Sequence, residues 1–256
     1  MRIHQQPGYI LHHRDYSETS LLLEVFTASH GRLGLIAKGA RRASSRMRGI
    51  LKPFQRLLIG WSGKGDLAVL TNAEMEDAGS TPEGHALYCG FYMNEVLLRL
   101  LHRHDPHENL FDAYQAALQN LQRDDTNEKV LRIFEKKLLR ELGYGLVLDH
   151  DVADKTPIDA EATYDYILDR GPVRLARPQL NGQTEGVRIR GASLIALERD
   201  SMTDPVVLRD VKTLMRSVLA VHLGDRPLHS RKLFRRIAAS HSTDTEAEAD
   251  LDKVGS

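Results

Sequence analysis

Cysteine is nearly absent from the 256 residues: only Cys89 is present. No intramolecular disulfide can form, and a thiolate-based structural zinc site, which takes two to four cysteines, is excluded. Cys89 itself lies among apolar residues of a predicted helix and reads as a small buried hydrophobe rather than a nucleophile. Long apolar runs are missing too. None approaches the roughly 20 residues that a membrane helix needs. The opening Met1–Ile10 holds Arg, His and two Gln and no apolar stretch, so no signal peptide is expected, and a reducing cytoplasm fits. Net charge is also lacking, with 35 Lys and Arg against 35 Asp and Glu. Hydrophobic residues at 41% and charged residues at 27% exclude a disordered, collagen-like or coiled-coil chain.

The most informative absence is local. Between Val25 and Gly65 there is no Asp or Glu, but there are nine cations: Arg32, Lys38, Arg41, Arg42, Arg46, Arg48, Lys52, Arg56 and Lys64. Residues 1–65 hold eleven basic against three acidic side chains, whereas the tail 240–256 holds one against five. A cationic block of this kind repels itself unless a polyanion or an acidic partner neutralises it. It is the usual footprint of nucleic-acid binding.

Residues 8–75 read as five short strands: Tyr9–Arg14, Ser20–Thr27, Leu33–Lys38, Phe54–Gly60 and Leu67–Thr71. Five strands with a basic insertion at Gly39–Pro53 predict a small closed barrel. The insertion reads as a mobile loop with about one helical turn. From His85 the apolar spacing becomes helical. Helices are predicted at His85–Arg103, from about Asp105-Pro106 to Gln122, and at Glu128–Leu142, Ala192–Arg199, Asp204–His222 and His229–Ser240. Asp105-Pro106 reads as an N-cap followed by Pro at the first helical position. The fold class is therefore α+β, a small β-barrel of the OB type over 1–80 and a mainly helical region over 81–240. An irregular, cysteine-free insertion lies near 150–190, with one possible strand at Tyr164–Leu168. The tail 241–256 is acidic and expected to be disordered.

Catalytic signatures are weak. His102, His104 and His107, with Asp105, are the most ligand-rich stretch and leave a metal-dependent hydrolase as the alternative reading, but no metal site is assigned. Gly63-Lys64 superficially looks like a phosphate loop. However, Gly65 follows where Ser or Thr is required, and a strand follows where a helix is required. Ser17, Ser20 and Ser193 lie in no nucleophile elbow, and no carboxylate pair stands out as general acid and base. Binding has more support. A barrel with basic loops and aromatics (Tyr9, Tyr16, Phe54, Trp61) can hold phosphates and stack bases. Further along, Ser230-Arg-Lys-Leu-Phe-Arg-Arg-Ile237 would turn Arg231, Lys232, Arg235 and Arg236 outward on a helix.

Several stretches together resemble a known family. They are Gly8–Thr27, Gly31-Arg-Leu33, Ala37-Lys-Gly-Ala-Arg-Arg42, Leu51-Lys-Pro-Phe54, Leu87 through Tyr92 and Glu95 to Leu98, Leu110-Phe-Asp112, Arg132-Ile-Phe-Glu135, Leu142-Gly-Tyr-Gly145 and Ser230-Arg-Lys-Leu-Phe234. In this order they resemble the RecO family of bacterial DNA repair proteins. The resemblance implies an OB-fold followed by a helical domain, binding of single- and double-stranded DNA, and annealing of complementary strands. It also implies a cytoplasmic, nucleoid-associated protein acting with RecR, and possibly RecF, to load RecA on DNA coated by single-stranded DNA-binding protein. Many members carry a four-cysteine zinc module where this chain has residues 150–190 without cysteine, so zinc is not carried over and no cofactor is expected. The acidic C-terminal tail of single-stranded DNA-binding protein calls for an Arg beside an apolar notch. The third helix offers Arg132 with Leu131, Leu138 and Leu142, assisted by Lys136 or Arg140 at helical spacing.

Overall fold

The computed structural model describes residues 2–63, 65–76, 81–121, 126–175, 184–224 and 226–230. Strict alternation along the first strands builds two cores at once. In β1 (Arg2–Tyr16), Ile10 points inward while its neighbours Tyr9 and Leu11 point outward. In β2 (Ser20–Thr27), Leu23 and Val25 face inward and Phe26 outward. β3 (Gly31–Ala37), β4 (Arg56–Ser62) and β5 (Leu67–Met75) complete a closed barrel in the order β1-β2-β3-β5-β4. Pairing is antiparallel throughout except for β3 against β5, which is parallel. Trp61 fills the barrel interior with Leu33, Leu35, Leu57, Ile59 and Leu70.

The outward face of β1 and β2 belongs to the second core. Tyr9, Leu11 and Phe26 pack on α1 (Gly84–Leu100) and α2 (Glu108–Asn120). The Tyr9 ring lies 5.2 Å from Tyr114 and Phe26 lies 5.5 Å from Phe111. Buried Asn94 on α1 donates to the Leu11 carbonyl at 2.9 Å and accepts from the Tyr114 hydroxyl at 2.6 Å. The β2–β3 turn closes the seam. Gly31 has φ +64°, and a side chain there would meet the Asp105 carbonyl oxygen at 2.0 Å. The expected Asp105-Pro106 cap is therefore not formed. His104 takes a left-handed φ of 62° and donates its N–H to the Arg32 carbonyl, and α2 begins at Glu108 after His107.

α3 (Asn127–Glu141), α4 (Gly191–Glu198) and α5 (Pro205–Leu223) complete the helical layer. Asp204 caps α5, accepting from Val206 and Val207 N–H ahead of a Pro at the helix start. The 150–190 insertion holds more order than its sequence suggests. β6 (Thr163–Ile167) lies between β7 (Gly171–Arg174) and β8 (Val187–Arg190). Carboxylates hold this cysteine-free segment: buried Asp151 accepts the N–H groups of Ala153 and Arg174, and Asp165 those of Glu185 and Gly186. Among the described residues no helix is long and apolar enough to cross a membrane. The predicted helix His229–Ser240 is described only at its first two residues, and the acidic tail lies outside the described residues.

Candidate nucleic-acid interface

The cationic insertion between β3 and β4 is anchored rather than loose. Ala40, Met47, Ile50 and Leu51 turn inward and join the barrel core. A single 3-10 turn, Arg46–Gly49, is capped by the Ser45 hydroxyl, which accepts from Met47 N–H. The expected helical turn is there, and one apolar side chain every few residues ties the chain to the barrel. The cations between these anchors then have nowhere to go but outward. Lys38, Arg42, Arg46, Arg48 and Lys52 are all exposed, and none takes part in an ion pair among the described residues.

The other cations of the block are engaged. Arg32 donates to the Leu98 carbonyl and lies near Glu24, which also pairs with Arg103. Burial pulls the Arg32 pKa below its ordinary value despite Glu24. Arg56 bonds Glu76 at 2.8 Å and Gln115 at 2.7 Å. These two arginines join the barrel to the helical layer. Their partners, Glu24, Glu76 and Gln115, lie outside the acid-free stretch and come close only in the fold. Arg41 is intermediate: it pairs with Asp15 at 2.9 Å and reaches the Ser17 and Glu18 carbonyls, yet it stays exposed. Arg14, on the same β1–β2 hairpin as Asp15, is exposed as well. Arg231, Lys232, Arg235 and Arg236 lie outside the described residues.

The aromatic candidates also sort themselves. Tyr9 and Phe54 belong to the helical core and Trp61 to the barrel core. Tyr16 alone of the four is exposed, at 44%.

On α3 the structure departs from the expected partner notch. Leu131 and Leu138 are buried, and Lys136 is spent on the Leu197 and Glu198 carbonyls and on Asp200. Arg140 is exposed and Leu142 half-buried. Arg132 is 4% exposed, with its guanidinium 2.8 Å from the Glu135 carboxylate. Burial works against its charge, but Glu135, Tyr92 and Glu128 outweigh it and raise its pKa. Tyr92 donates its hydroxyl to the other Glu135 oxygen. Burial pushes the Cys89 thiol up to about 12, leaving it protonated.

The histidine stretch does not converge. Among the described residues no three His, Cys, Asp or Glu side chains come together as a metal-holding group. His107 lies 3.3 Å from Asp105, while His104 is exposed and only its backbone N–H reaches the seam, at the Arg32 carbonyl.

A closed five-stranded barrel of this strand order, capped by an unneutralised cationic loop and sharing a core with a helical layer, defines an OB-type barrel protein. The chain belongs to the RecO family: the family pattern described as Recombination protein O N terminal matches residues 1–78, and that described as Recombination protein O C terminal matches residues 82–232. Similar proteins each named DNA repair protein RecO occur in Nitrosococcus oceani, 47% identical over 93% of this chain and 95% of that protein; in Alkalilimnicola ehrlichii, 44% identical over 96% of both; and in Coxiella burnetii, 44% identical over 91% and 98%.

Proposed function

We propose that this chain is a DNA-binding recombination mediator in DNA repair, which holds DNA strands by their phosphates and anneals complementary strands. The observation that carries the reading is the set of five exposed, unpaired cations, Lys38, Arg42, Arg46, Arg48 and Lys52, on an anchored loop of an OB-type barrel. Exposed cations displace counterions from DNA, and the contacts are indifferent to sequence. Annealing gains further if Arg231, Lys232, Arg235 and Arg236 neutralise a second strand. In this reading no nucleotide or metal takes part, so annealing proceeds without ATP and in the presence of chelator.

The partners in this reading are RecR, possibly RecF, and single-stranded DNA-binding protein, with RecA loading as the outcome. Support for the tail peptide of single-stranded DNA-binding protein comes from Arg132. Its Nη1 is 2.8 Å from the Glu135 carboxylate, but its Nε has no hydrogen-bond acceptor among the described residues although the group is buried. A carboxylate arriving past half-exposed Glu128 would satisfy it.

The test of DNA binding is the triple variant Arg42→Ala, Arg46→Ala, Arg48→Ala, which leaves the apolar anchors of the loop in place. Affinity for single strands should fall for every sequence. The slope of log affinity against log salt should flatten by about 0.7 per lost contact. Unchanged affinity and slope in a folded variant would remove the interface from this loop.

A further inference from the structure

Three Phe, Tyr or Trp side chains are exposed among the described residues: Tyr16 at 44%, Phe91 at 38% and Tyr144 at 51%. Tyr144 is already stacked on His222, with ring centroids 4.0 Å apart. The other two sit at the two ends of the cationic loop. Tyr16 ends β1, where Arg41 reaches back to Asp15, Ser17 and Glu18. Phe91, on α1, lies against Phe54, two residues beyond Lys52, with ring centroids 5.1 Å apart in an edge-on contact.

The position of Phe91 is built. Phe54 takes a left-handed φ of 71° as it leaves the loop, which turns its ring away from the barrel and across α1. Gly90 makes room for it, since a Cβ at Gly90 would stand 2.8 Å from the Phe54 ring. Phe54 in turn holds the Phe91 ring in place while leaving much of it in water. Exposing a phenyl ring forfeits most of its burial free energy, about 1.5–3 kcal/mol. Its support, Phe54, lies two residues beyond Lys52, where a phosphate chain would pass. The nearest carboxylate along that face of α1, Glu95, is neutralised by Arg99 and by the N–H groups of His229 and Ser230. Ile10 of β1 bridges to Pro53, so the loop ends six residues back along β1 from Tyr16. At about 3.4 Å per residue, Tyr16 stands about 20 Å along β1 from the end of the loop that leads to Phe54 and Phe91. That suits the several nucleotides that an OB barrel commonly holds.

We propose that Phe91 is a nucleobase-stacking residue. It takes an unpaired base of a DNA strand whose phosphates lie on Arg46, Arg48 and Lys52. This rests on the DNA-binding reading above and adds to it a preference for single strands, contributed from outside the barrel. A duplex keeps its bases stacked on each other and offers Phe91 none.

The experiment compares wild type, Phe91→Ala and Phe91→Trp against a short single-stranded oligonucleotide, a duplex of the same length, and a single strand carrying abasic sites. Phe91→Ala should lose about five- to hundredfold in affinity for the single strand, with the salt slope unchanged. Its affinity for the duplex should stay within about twofold. Phe91→Trp should restore single-strand binding, and its added fluorescence should be quenched by the oligonucleotide. Wild type on abasic DNA should bind as weakly as Phe91→Ala does on normal DNA. If Phe91→Ala binds the single strand as tightly as wild type, or loses the duplex and the abasic strand equally, the stacking role is overturned. The triple arginine variant separates the two failures: loss of binding there with none in Phe91→Ala overturns stacking alone, whereas no loss in either overturns the reading of the loop.

Discussion

Arg132 and Gly31 carry consequences disproportionate to their size. Arg132 is the cation of a buried pair, with Glu135 fully enclosed beside it. Removing one partner of a buried pair leaves the other charge stranded and costs about 3–5 kcal/mol. Arg132→Ala should therefore lower the thermal midpoint sharply, and Arg132→Leu combined with Glu135→Leu should recover part of the loss. Any reduced binding of an acidic tail peptide by Arg132→Ala has to be measured below that lowered midpoint. Gly31 is constrained twice, by its left-handed φ and by the Asp105 backbone 2.0 Å from where a Cβ would stand. Gly31→Ala should cost about 2–4 kcal/mol in urea unfolding. Gly49→Ala should be nearly neutral, since nothing lies within 4 Å of its added Cβ. Equal effects at the two glycines would show that the β2–β3 turn does not bear on the seam. The sequence did carry a sign of the Arg132 pair: a cation and a carboxylate three apart on a helix, flanked by Leu131, Phe134 and Leu138.

At the scale of elements, the chain announces what is periodic and conceals what is short. The five barrel strands and the major helices were legible because short apolar runs such as Ser20–Thr27 are bounded by turn residues and the three-to-four spacing in Glu128–Leu142 persists over several turns. β7 and β8 were not. Each has four residues, β7 contains Gly171-Pro172, and both take their stability from pairing with β6. The cationic loop was legible in composition but not in rigidity, because its anchors Ala40, Met47, Ile50 and Leu51 are too sparse to form a pattern. A latch at the end of the described chain was hidden for a related reason. Glu95 on α1 accepts from His229 N–H, Ser230 N–H and the Ser230 hydroxyl at 2.8 Å each, while Arg99 binds the Arg226 and Pro227 carbonyls. Partial burial pushes the Glu95 pKa up, but these N–H donors, the hydroxyl and Arg99 outweigh it and hold the pKa below the usual carboxylate range. A depressed carboxylate stabilises above its unfolded pKa and loses that contribution as pH falls through its folded pKa. The segment 226–230 should thus stay docked at neutral pH and loosen below about pH 4.5. Protection factors at Leu228–Ser230, taken relative to the intrinsic exchange rate at each pH, should fall across that range in wild type and should already be low at pH 7 in Glu95→Gln. High, pH-independent protection in both would mean that Leu228 burial alone holds the segment.

The whole molecule has one shared core where its family patterns divide it in two. Tyr9, Leu11, Phe26 and Phe54 come from the barrel half, yet they pack with Met93, Phe111, Tyr114 and Phe134 of the helices. Arg32, Arg56 and Arg103 add polar ties across the same seam. Barrel and helices should therefore melt in a single calorimetric transition, with the van't Hoff and calorimetric enthalpies equal. Two resolved transitions would show the seam to be weaker than its burial implies. A piece ending near residue 80 should bind an apolar-surface dye such as ANS, because it bares the outward face of β1 and β2.

That outward face also sets a schedule. A ribosome delivers β1 to β5 first, and the barrel can close once Met75 has emerged. Tyr9, Leu11 and Phe26 then wait, uncovered, until α1 and α2 have been made, about 46 residues later. At roughly 5–20 residues per second the delay is about 2–9 s. For that interval the nascent chain presents a finished cationic barrel with a greasy flank. During synthesis, then, the surface that later welds the protein into one body is bare for seconds before its cover exists.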